Sequence, residues 1–228
     1  IIIHGITKLA HIQFVSNLEA KKRIIQMGEN TKSSCIIGSP EIEIMKESIL
    51  PKIQDTKMRY NIPYESYAIF IFHPVVTEFH STRKQIKQII LGLKESKRKF
   101  IIIYPNNDKG SDIIIEEIKK LRGNKNFRIF PSLRFKYFLS LLKNADFVIG
   151  NSSTVVREAE VYGTPAINIG TRQNNRNKNK EIINIFPNRN EILKVIQKIN
   201  GKRFKPKSYF YRFFPTEINR RDLCERHR

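Results

Sequence analysis

The part of the chain that most constrains its fold is the stretch 146–170. A short apolar run, Phe147 to Ile149, ends at Gly150 and is followed by a cluster of small polar residues. Apolar residues then recur at helical spacing as far as Gly163, and a second apolar run, Ala166 to Ile169, comes next. This pattern predicts strand, turn, helix and strand, which is the repeating unit of a doubly wound α/β domain.

The polar turn of this unit, Asn151 to Thr154, has the composition of a phosphate site. The first backbone N–H groups of a helix lack partners inside it, and the helix dipole adds about half a positive charge there. Ser152 and Ser153 add hydroxyl donors, and Glu158 is placed to accept hydrogen bonds from two neighbouring sugar hydroxyls. The alternative interpretation is structural, with Ser153 or Thr154 acting as the helix N-cap.

The same alternation of strands and helices extends along most of the chain. Residues 61–200 are predicted to form a Rossmann-like domain, preceded by the remnant of an N-terminal α/β domain and a linker (1–60) and followed by a closing segment and charged tail (201–228). We predict strands at 11–16, 35–38, 68–72, 100–104 and 127–130, helices at 18–27, 40–48, 82–94, 111–121 and 135–143, and a link at 52–60. Ligands of open α/β sheets bind at the carboxyl ends of the strands, and polar residues follow these strands.

Composition limits the classes of protein to which the chain can belong. Hydrophobic residues make up 40%, which is enough for a packed core, and no apolar run approaches the length of a membrane span. Two cysteines, Cys35 and Cys224, indicate neither a disulfide framework nor a metal site. Cys35 lies in an apolar run and is predicted to be a buried thiol in a reducing cytoplasm. The start at Ile1 has no signal-peptide pattern, and we interpret it as lying within a domain.

The net charge of +21 leaves two interpretations open. A strongly basic chain is typical of nucleic-acid-binding proteins, but the basic residues here are scattered and lack interleaved aromatic residues. The second interpretation is a soluble enzyme of an organism whose coding sequence favours Ile, Lys and Asn, and the excess charge would then favour an anionic ligand. A basic binding module without catalysis therefore stays as an alternative.

Four strings of residues lie in and after the polar turn: Gly150-Asn151-Ser152-Ser153, Arg157-Glu158, Tyr162-Gly163-Thr164-Pro165 and Asn168-Ile169-Gly170-Thr171-Arg172-Gln173. Together they resemble the motifs of a known family, the hydrolysing UDP-N-acetylglucosamine 2-epimerases of the sialic-acid and legionaminic-acid pathways. Weaker matches at 6–16, 26–29 and 38–40 extend the resemblance toward the start. It implies a GT-B-like fold, with the C-terminal Rossmann-type half complete and the N-terminal half only partial. Glycosyltransferases of the same architecture share only Glu158 and Gly163-Thr164-Pro165, and one half of such an enzyme is the second alternative.

The resemblance also implies roles for individual residues. His73, in a His-Pro-Val segment that follows a predicted strand, matches the family histidine that lies at the substrate phosphates. Asn107 matches a loop that borders the nucleotide, and Arg172 matches an element that faces the cleft and steadies the pyrophosphate. Phe138 is a candidate to stack on uracil, although its helical spacing with neighbouring leucines is more typical of a core residue.

In this family a base removes the proton at C2 of the sugar while UDP leaves C1, and water then adds to the glycal. The resemblance implies no metal and no cofactor, and it assigns the acid/base chemistry to carboxylates of the N-terminal domain ahead of the segment that begins at Thr7. We expect those carboxylates to be missing from the 228 residues. His4 and His73 are then weak catalytic candidates. We expect the chain to bind a UDP-sugar and to have no membrane partner. A homo-oligomer is possible. We also expect the 228 residues alone to bind UDP weakly without turnover, and release of N-acetylmannosamine would contradict this.

Overall fold

The computed structural model describes residues 2–38, 44–45, 49–174, 179–199 and 201–206. The chain divides into two compact units, one within residues 1–48 and the other within 49–207. Most of the predicted helix at 40–48, Cys224 and the whole segment 207–228 lie outside the described residues.

The first unit is a small βαβ arrangement. Its elements are α1 (Ile2–Leu9), β1 (Gln13–Val15), α2 (Leu18–Gln26) and β2 (Ser34–Ile36), and the two strands pair in parallel. Asn17 caps α2 by accepting the N–H of Ala20 at 2.8 Å. Cys35 is only half-buried, so the prediction of a buried thiol is wrong. Cys35 is the strand-pairing partner of Phe14. Phe14 is 51% exposed, because a sheet of two strands leaves this face open.

The second unit contains a sheet of six parallel strands in the order β5-β4-β3-β6-β7-β8. These strands are β3 (Ala68–Ile71), β4 (Phe100–Ile103), β5 (Phe127–Phe130), β6 (Val148–Gly150), β7 (Ala166–Ile169) and β8 (Ile183–Ile185). The chain starts in the centre, moves outward through β4 and β5, and then returns to build the other half from β6. This is the doubly wound order of nucleotide-binding folds, and it confirms the predicted fold class.

Helices precede, connect and follow the strands of this sheet. They are α3 (Ile53–Arg59), α4 (Thr82–Glu95), α5 (Ser111–Lys119), α6 (Phe135–Asn144), α7 (Glu158–Val161) and α8 (Arg189–Ile199), with 3-10 turns at Val76–Ser81 and Ser153–Val155. Isoleucine and phenylalanine side chains of the central strands β3 and β6, and the isoleucines of β7, are buried, as expected for a sheet covered on both faces. Helices α4 and α8 pack closely at Gly92, where an added Cβ would lie 2.9 Å from Ile192. No helix in the described part of the chain is long and apolar enough to cross a membrane.

Two parts of this unit differ from the sequence prediction. The segment predicted as a link at 52–60 is largely α3, with Asp55 in its first turn and Lys57 and Arg59 in its last. The helix predicted after the polar turn is broken into a 3-10 turn and the four-residue α7, because Arg157 adopts non-helical dihedrals. Three consecutive β-branched residues, Thr154 to Val156, explain the break, since they lose side-chain rotamers in a helix.

Candidate functional site

The candidate site lies at the carboxyl edge of the sheet, between the adjacent strands β3 and β6. From β3 the chain continues to β4 and β5 toward one edge of the sheet, and from β6 it continues to β7 and β8 toward the opposite edge. In open α/β sheets this reversal opens a crevice in which ligands bind. His73 follows β3 and Asn151 follows β6, so the sheet brings together two of the predicted site residues.

Hydrogen bonds join these two residues directly. The Asn151 side-chain oxygen accepts the backbone N–H of His73 at 2.6 Å, and its side-chain nitrogen donates to the His73 carbonyl at 2.8 Å. The backbone N–H of Asn151 donates to the Ile71 carbonyl at 3.1 Å. Asn151 is 1% exposed. The ends of β3 and β6 are therefore fixed relative to each other through a buried amide.

A third segment, the loop after β7, is attached to the same residue. The Asn151 carbonyl accepts hydrogen bonds from Gln173 Nε2 at 2.7 Å and from Arg172 at 3.2 Å. The predicted site residue Arg172 thus lies beside the polar turn. Thr171 in the same loop donates its hydroxyl to Glu78, in the 3-10 turn that follows His73. Gln173 is buried, and its role was not anticipated beyond its place in the family motif.

The surroundings of the His73 ring fix its protonation. The backbone N–H of Asn106 donates to His73 Nδ1 at 3.0 Å, so the neutral ring carries its proton on Nε2. Burial lowers the pKa of His73, the nearby Arg172 guanidinium lowers it further, and together they bring it from 6.5 to about 4. Asn106 and Asp108 act more weakly in the opposite direction. At neutral pH the ring is therefore an uncharged donor through Nε2.

Gly150 allows the close approach of the two strands. Its φ is +142°, and a Cβ at this position would lie 1.8 Å from the Ile71 carbonyl oxygen. Only glycine fits such a conformation against a neighbouring backbone. The glycine before the polar turn, which the sequence marks as the end of the strand, is thus required for the strands to meet.

The polar turn itself is more buried than the sequence suggests. Ser152 is 7% exposed and caps the 3-10 turn by accepting the Thr154 N–H at 3.4 Å, while Ser153 is half-buried. The cap is therefore Ser152, and the predicted alternatives Ser153 and Thr154 do not fill that position. Glu158 is buried at the start of α7. Because α7 has four residues, it provides no long helix dipole. In the 3-10 turn the N–H groups of Thr154 and Val155 donate to Ser152, so among the described residues the Ser153 N–H is the donor of this turn that a ligand could use.

The remaining predicted residues are Asn107, His4 and Phe138. Asn107 is exposed in the turn beside Asn106, and His4 is exposed on α1 in the first unit. Phe138 is 7% exposed, and its ring lies 6.5 Å from that of Phe135, so its burial favours a core role. Within the described ranges, no three His, Cys, Asp or Glu residues are grouped so as to hold a metal ion.

Comparison with known proteins identifies the family. The family model for UDP-N-acetylglucosamine 2-epimerase matches residues 1–212. The chain belongs to the UDP-N-acetylglucosamine 2-epimerase family. This membership favours the epimerase interpretation over the glycosyltransferase alternative.

Relatives within the family support this assignment. The chain is 46% identical over 194 residues to a UDP-N-acetylglucosamine 2-epimerase of Neisseria meningitidis, which covers 85% of this chain and 51% of the relative. It is 32% identical over 207 residues to the hydrolysing GDP/UDP-N,N'-diacetylbacillosamine 2-epimerase of Campylobacter jejuni, covering 89% and 53% respectively. The chain spans about half the length of the curated relatives it matches.

A solved structure shows the same fold. The UDP-GlcNAc 2-epimerase of Methanocaldococcus jannaschii, crystallised with UDP-GlcNAc and UDP, superposes with a TM-score of 0.72 at 19% identity. The match covers 96% of this chain and 62% of that chain.

Proposed function

We propose that this chain supplies the UDP-binding part of a hydrolysing UDP-N-acetylglucosamine 2-epimerase that serves nonulosonic acid biosynthesis. The observation that carries the proposal is the direct link between His73 and Asn151 at the crevice between β3 and β6. Family membership supports the substrate class, and the Campylobacter jejuni relative supports the hydrolysing reaction. A diacetylbacillosamine-type sugar is the variant of this proposal that the same relative favours.

In the proposed complex the diphosphate of UDP lies over the polar turn. His73 donates through Nε2–H to a phosphate oxygen, and the backbone N–H of Ser153, at the start of the 3-10 turn, donates from the side of β6. The Arg172 guanidinium lies next to the turn and contributes positive charge. Glu158 accepts hydrogen bonds from sugar hydroxyls of the same ligand. A chain with a net charge of +21 attracts such an anion over a long range.

This arrangement assists departure of UDP. In the proposed reaction a base removes the proton at C2, the C1–O bond breaks, and its electron pair leaves with the diphosphate. The glycal that forms then adds water to give the 2-epimeric sugar. Donors fixed around the diphosphate stabilise the negative charge that develops on it. We assign the described residues to this leaving group and not to the proton at C2.

Isothermal titration calorimetry with UDP and uridine tests the proposal. We expect UDP to bind more tightly than uridine, and His73→Ala to weaken UDP about tenfold because one charge-assisted hydrogen bond is lost. His80→Ala is the matched control, since His80 is an exposed histidine in the 3-10 turn Val76–Ser81, which follows His73 in the chain.

Two results would overturn the proposal. One is equal UDP affinity of the His73 and His80 variants. The other is an absence of UDP binding together with steeply salt-dependent binding of heparin or duplex DNA, which would favour the basic-module alternative.

A further inference from the structure

Asn151 is predicted from the sequence as a UDP ligand, but its bonds in the structure indicate another role. Its side-chain oxygen and nitrogen are both engaged with the backbone of His73, at 2.6 and 2.8 Å. Its carbonyl accepts two donors from the loop after β7, and its N–H donates to Ile71. The residue is 1% exposed. A side chain buried and bonded in this way serves the protein rather than the ligand.

The bonds from Asn151 determine where the His73 ring points. They hold the peptide groups on both sides of the His73 Cα, and Pro74 restricts the backbone that follows. The ring is held at its other end by the Asn106 N–H on Nδ1. With backbone and Nδ1 fixed, Nε2–H has one direction in which to donate.

We propose that Asn151 is a positioning residue for diphosphate binding, which acts by holding the backbone of His73 so that the imidazole Nε2–H faces the ligand. The inference rests on the proposed function for the identity of the ligand. Asn151 makes two sets of hydrogen bonds within the described part of the chain. Its side chain bonds to the backbone of His73, whereas its carbonyl accepts from Arg172 and Gln173 and is retained in any substitution.

A double-mutant cycle in UDP affinity tests whether Asn151 acts through His73. We expect Asn151→Ala to weaken UDP about tenfold in the native background, because a hydrogen bond to the ligand is misdirected. In the His73→Ala background the same change should weaken UDP less than about twofold, because the ring to be positioned is absent. Equal losses in the two backgrounds would overturn the inference. If circular dichroism shows that the alanine variant is not folded, Asn151→Ser, which keeps a hydroxyl, takes its place in the cycle.

The imidazole itself gives a readout that a purely structural role leaves unchanged. In ¹⁵N NMR titrations we expect the His73 ring of the Asn151→Ala protein to move away from the Asn106 N–H that holds Nδ1, and so to lose its fixed Nε2–H tautomer. Because the displaced ring also leaves the buried position beside Arg172, its pKa should rise from about 4 toward 6.5. Asn168→Ala is the matched control, since Asn168 is an equally buried amide on β7 that bonds to Asn184 instead. Its variant should leave the His73 ring unchanged.

The two measurements separate failure of the inference from failure of the proposed function. If the native protein does not bind UDP, the proposed function fails, and the NMR titration still decides whether Asn151 positions His73. If UDP binds but the His73 ring is identical in the native and Asn151→Ala proteins, the inference fails alone.

Discussion

Replacement of Gly150 by alanine is the most severe test of the proposed geometry. Gly150 ends β6 with a φ of +142°, beside the Ile71 carbonyl of β3. An added Cβ would lie 1.8 Å from that oxygen, where real Cβ atoms keep at least 3.0 Å, so the two strands would have to separate by about 1.2 Å. The strands cannot accommodate this without breaking part of their ladder.

The cost follows from two contributions. Forcing alanine into a backbone region open almost only to glycine costs on the order of 1–3 kcal/mol. Separation of the strands also removes the bond from the Asn151 N–H to Ile71, which contributes about 1 kcal/mol. We therefore expect the free energy of unfolding to fall by about 2–4 kcal/mol, a large fraction of the stability of an ordinary domain.

Urea denaturation followed by circular dichroism measures this change. Gly123→Ala is the matched control, because Gly123 also has a positive φ, +82°, but an added Cβ meets nothing within 4 Å. Its variant isolates the cost of the backbone conformation from the cost of the clash. Unfolding free energies of the two variants that agree within about 0.5 kcal/mol would refute the close approach of β3 and β6.

Three other predictions follow from single side chains. The unfolded chain protonates His73 below pH 6.5, while the folded ring resists protonation down to about pH 4, so the free energy of unfolding should decrease as the pH falls from 6.5 to 4. In urea titrations at each pH, His73→Gln should make this decrease smaller by up to about 3 kcal/mol. Arg203→Met should lower the unfolding free energy by about 1–2 kcal/mol without changing UDP affinity, because the Arg203 guanidinium donates to Thr164 Oγ1 and to the carbonyls of Lys143 and Ala145. The control variant Lys202→Met should change the unfolding free energy little. Phe138→Leu should lower the unfolding free energy by about 1 kcal/mol, because Phe138 is buried, and should change the uridine affinity measured by calorimetry by less than twofold. A tenfold loss of uridine affinity at unchanged stability would instead support stacking of Phe138 on the base.

The central sheet could be predicted from the sequence because its strands are short, continuous apolar runs. Ala166 to Ile169 and Phe127 to Phe130 are observed with the predicted bounds. The placement of His73 and Asn151 at one edge of the sheet also follows from the sequence, since both come after strands and parallel strands share one carboxyl edge. Their direct contact and mutual bonds do not follow, because these depend on which strands are neighbours.

The edge strand β8 and the last helix, α8, were not predicted. β8 has three residues in a polar surrounding, so its signal is weak. For α8 a signal exists: Ile192, Ile196 and Ile199 recur at helical spacing and are buried, and Asn188 accepts the N–H groups of the first turn. The break between the 3-10 turn and α7 was also missed, because periodicity of apolar residues does not show where a helix changes its pitch.

The bonding of Asn151 has a kinetic consequence. The ends of β3 and β6 and the loop after β7 are tied by the chain's own groups, so their conformational entropy is lost during folding and not when a ligand arrives. Association with UDP should therefore be a single step, with an observed rate in stopped-flow mixing that rises linearly with UDP concentration. The rate constant should be fast and fall with ionic strength, as expected for an anion that approaches a strongly basic protein.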